Sequence, residues 1–148
     1  RTLILKVVWE QKKILLFVIY APNKQQETYY KKLHEKILEL GKEEICIIGD
    51  FNAVSDIKKE YQSTSKKKKN TNTLPKTFFN MIEEQNLIDI WRIYNLKEKQ
   101  FTFDSIPHKL WSRIDMTWIS KTLMRDIVRT EIAPNTWANH NPIIVTWK

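Results

Sequence analysis

Two apolar runs of strand length, Ile14-Leu15-Leu16-Phe17-Val18-Ile19-Tyr20 and Ile45-Cys46-Ile47-Ile48-Gly49, bracket a stretch with helical periodicity, and this arrangement constrains the fold more than any other feature. Between them, Tyr30, Leu33, Ile37 and Leu40 fall on one face of a helix expected over Glu27 to Leu40. Asn23, with Gln26 three residues later, is the expected cap, and Gly41 the expected stop. The first run is apolar on both faces, as a central strand is. A strand, helix, strand unit makes its two strands parallel neighbours under a right-handed crossover. Ligands in parallel α/β sheets gather beyond the carboxyl ends of the strands, so Tyr20, Asn23, Asp50 and Asn52 are expected around one crevice.

Leu3 to Trp9 reads as a further strand, joined to the first run by the polar turn Glu10-Gln11-Lys12-Lys13 and antiparallel to it. Asp56 to Thr73 is polar, with only Ile57 and Tyr61 as core formers, and reads as an exposed loop. Its run Lys66-Lys67-Lys68-Lys69 suits a solvated surface or a contact to a phosphate backbone. A second helix is expected from Pro75 to Gln85 with Phe78, Phe79 and Ile82 inward. Short strands are expected at Phe101 to Phe103, Ser112 to Trp118, Ile127 to Ile132 and Ile143 to Trp147.

A length of 148 residues with 42% hydrophobic content suits one domain with a real core. The formal charge of +8 favours polyanionic partners. No apolar run approaches the roughly 20 residues of a membrane span, and no secretory leader is evident, so an intracellular monomer, in nucleus or cytoplasm and off the membrane, is expected. The single cysteine, Cys46, reads as a buried strand residue. The chain opens without methionine on what already reads as a strand, which leads us to expect a fragment of a longer domain.

Three positions are candidates for chemistry. Asp50 and Asn52, in Gly49-Asp50-Phe51-Asn52, form either a polar site at a strand end or an ordinary turn. Asp115 lies between apolar neighbours in an expected strand and needs a partner, for which Arg113 is the structural choice. His140 occupies the loop Trp137-Ala138-Asn139-His140-Asn141-Pro142, while His34 and His108 read as structural or solvated.

Taken in order, Tyr20-Ala21-Pro22-Asn23, Gly49-Asp50-Phe51-Asn52, Phe101-Thr102-Phe103, Ser112-Arg113-Ile114-Asp115 and Asn139-His140-Asn141-Pro142-Ile143 resemble the exonuclease-endonuclease-phosphatase (DNase-I-like) superfamily. The wording of Leu87-Ile88-Asp89-Ile90-Trp91-Arg92 and Arg113 to Lys121 is similar to the endonuclease domain of non-LTR retrotransposons. The resemblance implies an α/β (α+β) fold, namely the C-terminal part of a two-sheet, four-layer αββα sandwich, with residues 1–148 as a single partial domain. It implies a Mg²⁺-dependent phosphodiester hydrolase that nicks DNA. In that family, Tyr20 and Asn52 would bind the scissile phosphate, and Thr102 would lie in a substrate-contacting segment. Asp50 would position the attacking water or serve the leaving oxygen. His140 would act as base or phosphate stabiliser, held by Asp115, since an acid behind a histidine fixes its tautomer and supports its cation.

Two departures from the family pattern bear on the metal. Where the family has Ser-Asp-His, this chain has Ala138-Asn139-His140, so the metal-holding acid becomes the neutral Asn139. The family's metal-ligating glutamate belongs to a segment that would precede Arg1. Because Mg²⁺ prefers hard, charged oxygens, weak or absent nuclease activity is expected. The competing readings are a non-catalytic basic nucleic-acid-binding remnant and a phosphoinositide or sphingolipid phosphoesterase of the same superfamily.

Overall fold

The computed structural model describes residues 1–41, 43–66 and 71–148, so Lys67, Lys68 and Lys69 of the lysine run lie outside the described residues. Strands β1 (Thr2–Trp9) and β2 (Lys12–Tyr20) form the expected antiparallel hairpin. Its two loop residues, Glu10 and Gln11, both take left-handed φ values of 44° and 69°, the geometry that matches a tight turn to strand twist. Helix α1 (Gln26–Leu40) then crosses to β3 (Glu44–Asp50), which runs parallel to β2. Strand β8 (Asp115–Ser120) lies antiparallel to β3, and β5 (Leu87–Asp89) closes the far edge, giving the order β1-β2-β3-β8-β5.

One face of this sheet is roofed by α1 and by α3 (Lys76–Glu84). Leu15, Phe17, Ile45, Ile47, Met116 and Trp118 meet Tyr30, Leu33, Ile37, Phe78 and Met81 there. The Phe78 ring sits edge-on to Tyr30, Phe51 and Trp118 at centroid distances of 5.0, 5.8 and 5.2 Å. The opposite face carries Ile14, Cys46 and Ile119 against a second sheet made of β9 (Ile127–Ile132) and β10 (Ile143–Trp147). Cys46 is buried in β3, and burial pushes its thiol up to about 12. The second sheet covers only part of that face, and an apolar groove of about 630 Å³, lined by Val7, Trp9, Leu16, Ile48 and Val145 among others, remains between them. Among the described residues, no helix is long and apolar enough to cross a membrane.

The structure corrects several expectations. Helix α1 begins after Gln25, in left-handed conformation, with no side-chain cap from Asn23. Gln26 instead donates to the Pro22 and Phe51 carbonyls at 3.0 and 2.9 Å, tying the helix start to the segment after β3. The stretch Asp56 to Thr73 holds a turn of helix, α2 (Ile57–Glu60), capped by the Asp56 carboxylate, followed by β4 (Tyr61–Ser63). That strand pairs with β7 (Leu110–Ser112), which pairs with β6 (Phe103–Ser105) in a third small sheet. Helix α3 buries Phe78 and Met81, one turn apart, and leaves Phe79 exposed. A further short helix, α4 (Ile90–Tyr94), starts at Asp89, whose carboxylate accepts from the Arg92 backbone N–H. The single strand expected over Ser112 to Trp118 is broken at Arg113 and Ile114, between β7 and β8.

Candidate active site

The carboxyl end of β3 is held open by one residue. Gly49 has φ +144°, and a Cβ there would lie 2.0 Å from the Ile19 carbonyl oxygen, so only glycine permits β2 and β3 to close up before Asp50. Asp50 is then paired in register with Asp115 on β8 and with Tyr20 on β2. Its Oδ1 accepts the Asn52 backbone N–H at 2.8 Å, and Asn52, itself left-handed at φ 49°, donates from Nδ2 to the Ala21 carbonyl at 2.6 Å. One N–H of the Asn52 amide is left over by that bond.

Asp115 turns to the loop that precedes β10. Its Oδ2 lies 2.8 Å from His140 Nδ1. His140 also bridges Phe103 in antiparallel fashion and packs on its ring at 5.0 Å. The loop is pinned by side chains: Asn135 donates to the His140 carbonyl, and Asn141 accepts from the Asn135 N–H and donates to the Phe101 carbonyl. Ligand atoms of Asp50, Asp115 and His140 all lie within 4.8 Å of one another. Residues almost a hundred positions apart thus converge on a concavity of about 250 Å³ lined by Gly49, Asp115, His140 and their neighbours.

The family model described as endonuclease-reverse transcriptase matches residues 14–144, a span that takes in every one of these residues. This chain belongs to that family. The family's fold is visible in solved structures as well. The chain is 19% identical to the endonuclease domain of TRAS1, a telomere-specific non-LTR retrotransposon, with a TM-score of 0.72 over 99% of this chain and 63% of that one. An AP endonuclease from Archaeoglobus fulgidus gives a TM-score of 0.76 at 14% identity, over 97% of this chain and 64% of its own. A 3'-5' exonuclease (NExo) from Neisseria meningitidis gives 0.73 at 17% identity, over 90% and 61%. The chain therefore spans somewhat under two thirds of the length of these relatives and shares the DNase-I-like α/β fold with them.

Electrostatics shift two groups of this family member, Asp50 and His140. Burial raises the Asp50 carboxyl above its ordinary range; the Asn52 N–H lowers it, the Asp115 charge raises it and the His140 charge lowers it. The Asp115 hydrogen bond raises the His140 imidazole, burial opposes that shift, and the charges of Asp115 and Asp50 reinforce it. Two facing carboxylates are the hard oxygen donors that a divalent cation prefers, so the pair fits the metal chemistry of the family.

The remaining expected residues fall differently. Tyr20 neighbours Asp50 in register, with its side chain 58% exposed. Asn139 is exposed, and its carbonyl accepts the Asp104 N–H at 3.0 Å. Thr102 is fully buried, and its Oγ1 accepts the backbone N–H groups of Ile114 and Asp115 at 3.1 and 3.0 Å, which holds Asp115 in place. Asn23 belongs to another groove, where its carbonyl accepts from Asn72.

Arg113 is not the partner of Asp115. It is fully buried and doubly bonded to Glu60 (2.7 and 2.7 Å) and to Asp89 (2.5 and 3.2 Å), while Arg92 adds two bonds to Glu60. Arg92 and Arg113 both lie over the Trp91 ring at 4.8 and 4.9 Å. Sequence reasoning missed Glu60 entirely, because an acid in a lysine-rich stretch carries no sign of burial.

Proposed function

We propose that this chain binds DNA and hydrolyses its phosphodiester bonds with Mg²⁺, slowly because Asn139 stands where the family carries an acid. The reading is supported by the Asp50, Asp115 and His140 cluster at a strand's carboxyl end, with Asp115 bonded to His140. The relatives it resembles in fold are nucleases by description.

In this reading Asp50, at the carboxyl end of β3, orients the water that attacks phosphorus and accepts its proton. His140, kept cationic by Asp115 on Nδ1, presents Nε2–H to a phosphoryl oxygen as negative charge gathers in the transition state. The free amide N–H of Asn52 and the exposed Tyr20 hydroxyl orient the phosphate. Asp50 and Asp115 are the residues that would hold Mg²⁺, with Asn139 as a weaker neutral ligand, and their ion would supply charge neutralisation at the phosphate.

The test is nicking of supercoiled plasmid with and without Mg²⁺. Slow metal-dependent nicking, lost in His140→Ala and faster or achieved at lower Mg²⁺ in Asn139→Asp, is the expected result. Salt-sensitive DNA binding with no nicking by the folded chain or by Asn139→Asp would leave a nucleic-acid-binding protein without the reaction.

A further inference from the structure

Among the described residues, the two most exposed large apolar side chains are Trp137 at 94% and Ile106 at 81%. Both belong to segments that meet at His140. Ile106 lies in the connection between β6 and β7, and β6 touches the loop before β10 through the Phe103–His140 bridge and the bond from Asp104 N–H to the Asn139 carbonyl. Trp137 lies in that loop, three residues before His140.

The Trp137 backbone is not loose. Its N–H donates to Asn135 Oδ1 at 2.9 Å, and the same Asn135 side chain donates to the His140 carbonyl at 2.8 Å. One asparagine therefore ties the Trp137 backbone to the His140 backbone. An indole exposed to water on a pinned backbone three residues from His140 offers a large, flat, apolar face to a partner. The chain's charge of +8 draws a polyanion towards it, and the groups that accept flat apolar faces on such a polymer are its bases.

We propose that Trp137 is a nucleobase-stacking residue, which packs on a base next to the phosphodiester engaged by His140. This rests on the reading of the site as one that binds DNA. Stacking is indifferent to base identity, so Trp137 adds affinity and orientation without selecting a sequence.

The test is binding of a short fluorescein-labelled DNA duplex, followed by anisotropy across a salt series in EDTA, for the wild type, Trp137→Ala and Trp137→Phe. The Ala variant should bind on the order of tenfold more weakly, the loss of one stacked base, and Phe should recover most of it. The dependence of affinity on salt should keep its slope, because the indole neutralises no phosphate. Unchanged affinity in Trp137→Ala, a changed slope, or no recovery with Phe overturns the proposal while DNA binding stands. Absence of DNA binding by the wild type overturns the proposed function and this inference with it.

Discussion

Gly49 and His140 show how much rests on single residues here. Replacing Gly49 with Ala forces a Cβ onto the Ile19 carbonyl in a backbone region hostile to L side chains. The expected cost is about 3 kcal/mol, read as a shift in the denaturant midpoint; an unchanged midpoint would show that β2 and β3 can part without loss. At His140 the sign of the pH effect follows from Asp115. The imidazole is raised in the fold, so its ion pair stabilises the folded state fully below the unfolded value of about 6.5, and that contribution is lost as pH rises through the folded value. The stability gap between wild type and Asp115→Asn should therefore be wider at acid than at alkaline pH, as thermal melts in matched buffers would reveal. If the chain nicks DNA, the same variant should lower kcat by about 10²- to 10⁴-fold with a smaller change in KM.

At the scale of elements, the buried Arg113 cluster joins pieces that local sequence keeps apart. Glu60 comes from the turn of helix before β4, Asp89 from the end of β5, Arg92 from α4, and Arg113 from the break between β7 and β8. Arg113 N–H also donates to the Glu60 carbonyl, and the next two residues donate to Thr102, so the cluster sets the course of the chain into Asp115. Removing one partner from a buried ion pair leaves an uncompensated charge, so Arg113→Met should cost about 3–5 kcal/mol in chemical denaturation. Combining it with Glu60→Gln should cost less than the sum of the two single changes, because the second change removes a charge that the first has stranded. Additive losses would mean that the two residues act independently.

Taken whole, the molecule is apolar in an exposed place. Leu3, Leu5 and Trp9 on the edge strand β1, Val18 on β2 and Ile144 on β10 are all exposed. Trp9 and Ile144 line the groove between the sheets, and strand alternation puts Leu3, Leu5 and Val18 on the same face as its lining residues Val7, Trp9 and Leu16. An edge strand with apolar side chains and unpaired backbone groups invites association. Instead of the monomer expected from the sequence, the purified chain should sediment as a mixture of sizes, and Leu5→Lys should shift it towards monomer. A single monomeric species with a cooperative melt would contradict this.

Periodicity and local chemistry were enough for the hairpin, the β2-α1-β3 unit and the strands β9 and β10, because each is decided by neighbours within a few residues. The ordered motifs likewise brought Asp50, Asp115 and His140 forward, and the expected bond between the last two is present at 2.8 Å. What tertiary structure alone decided was the pairing of charges. Asp115 has Arg113 two residues away, yet a strand break turns Arg113 into the core, where Glu60 and Asp89 lie buried, and leaves Asp115 facing His140. Thr102 and Gln26 were drawn inward for the same reason: buried backbone groups need partners, and which side chain supplies them depends on what the fold brings within about 3 Å, not on what stands beside it in the chain.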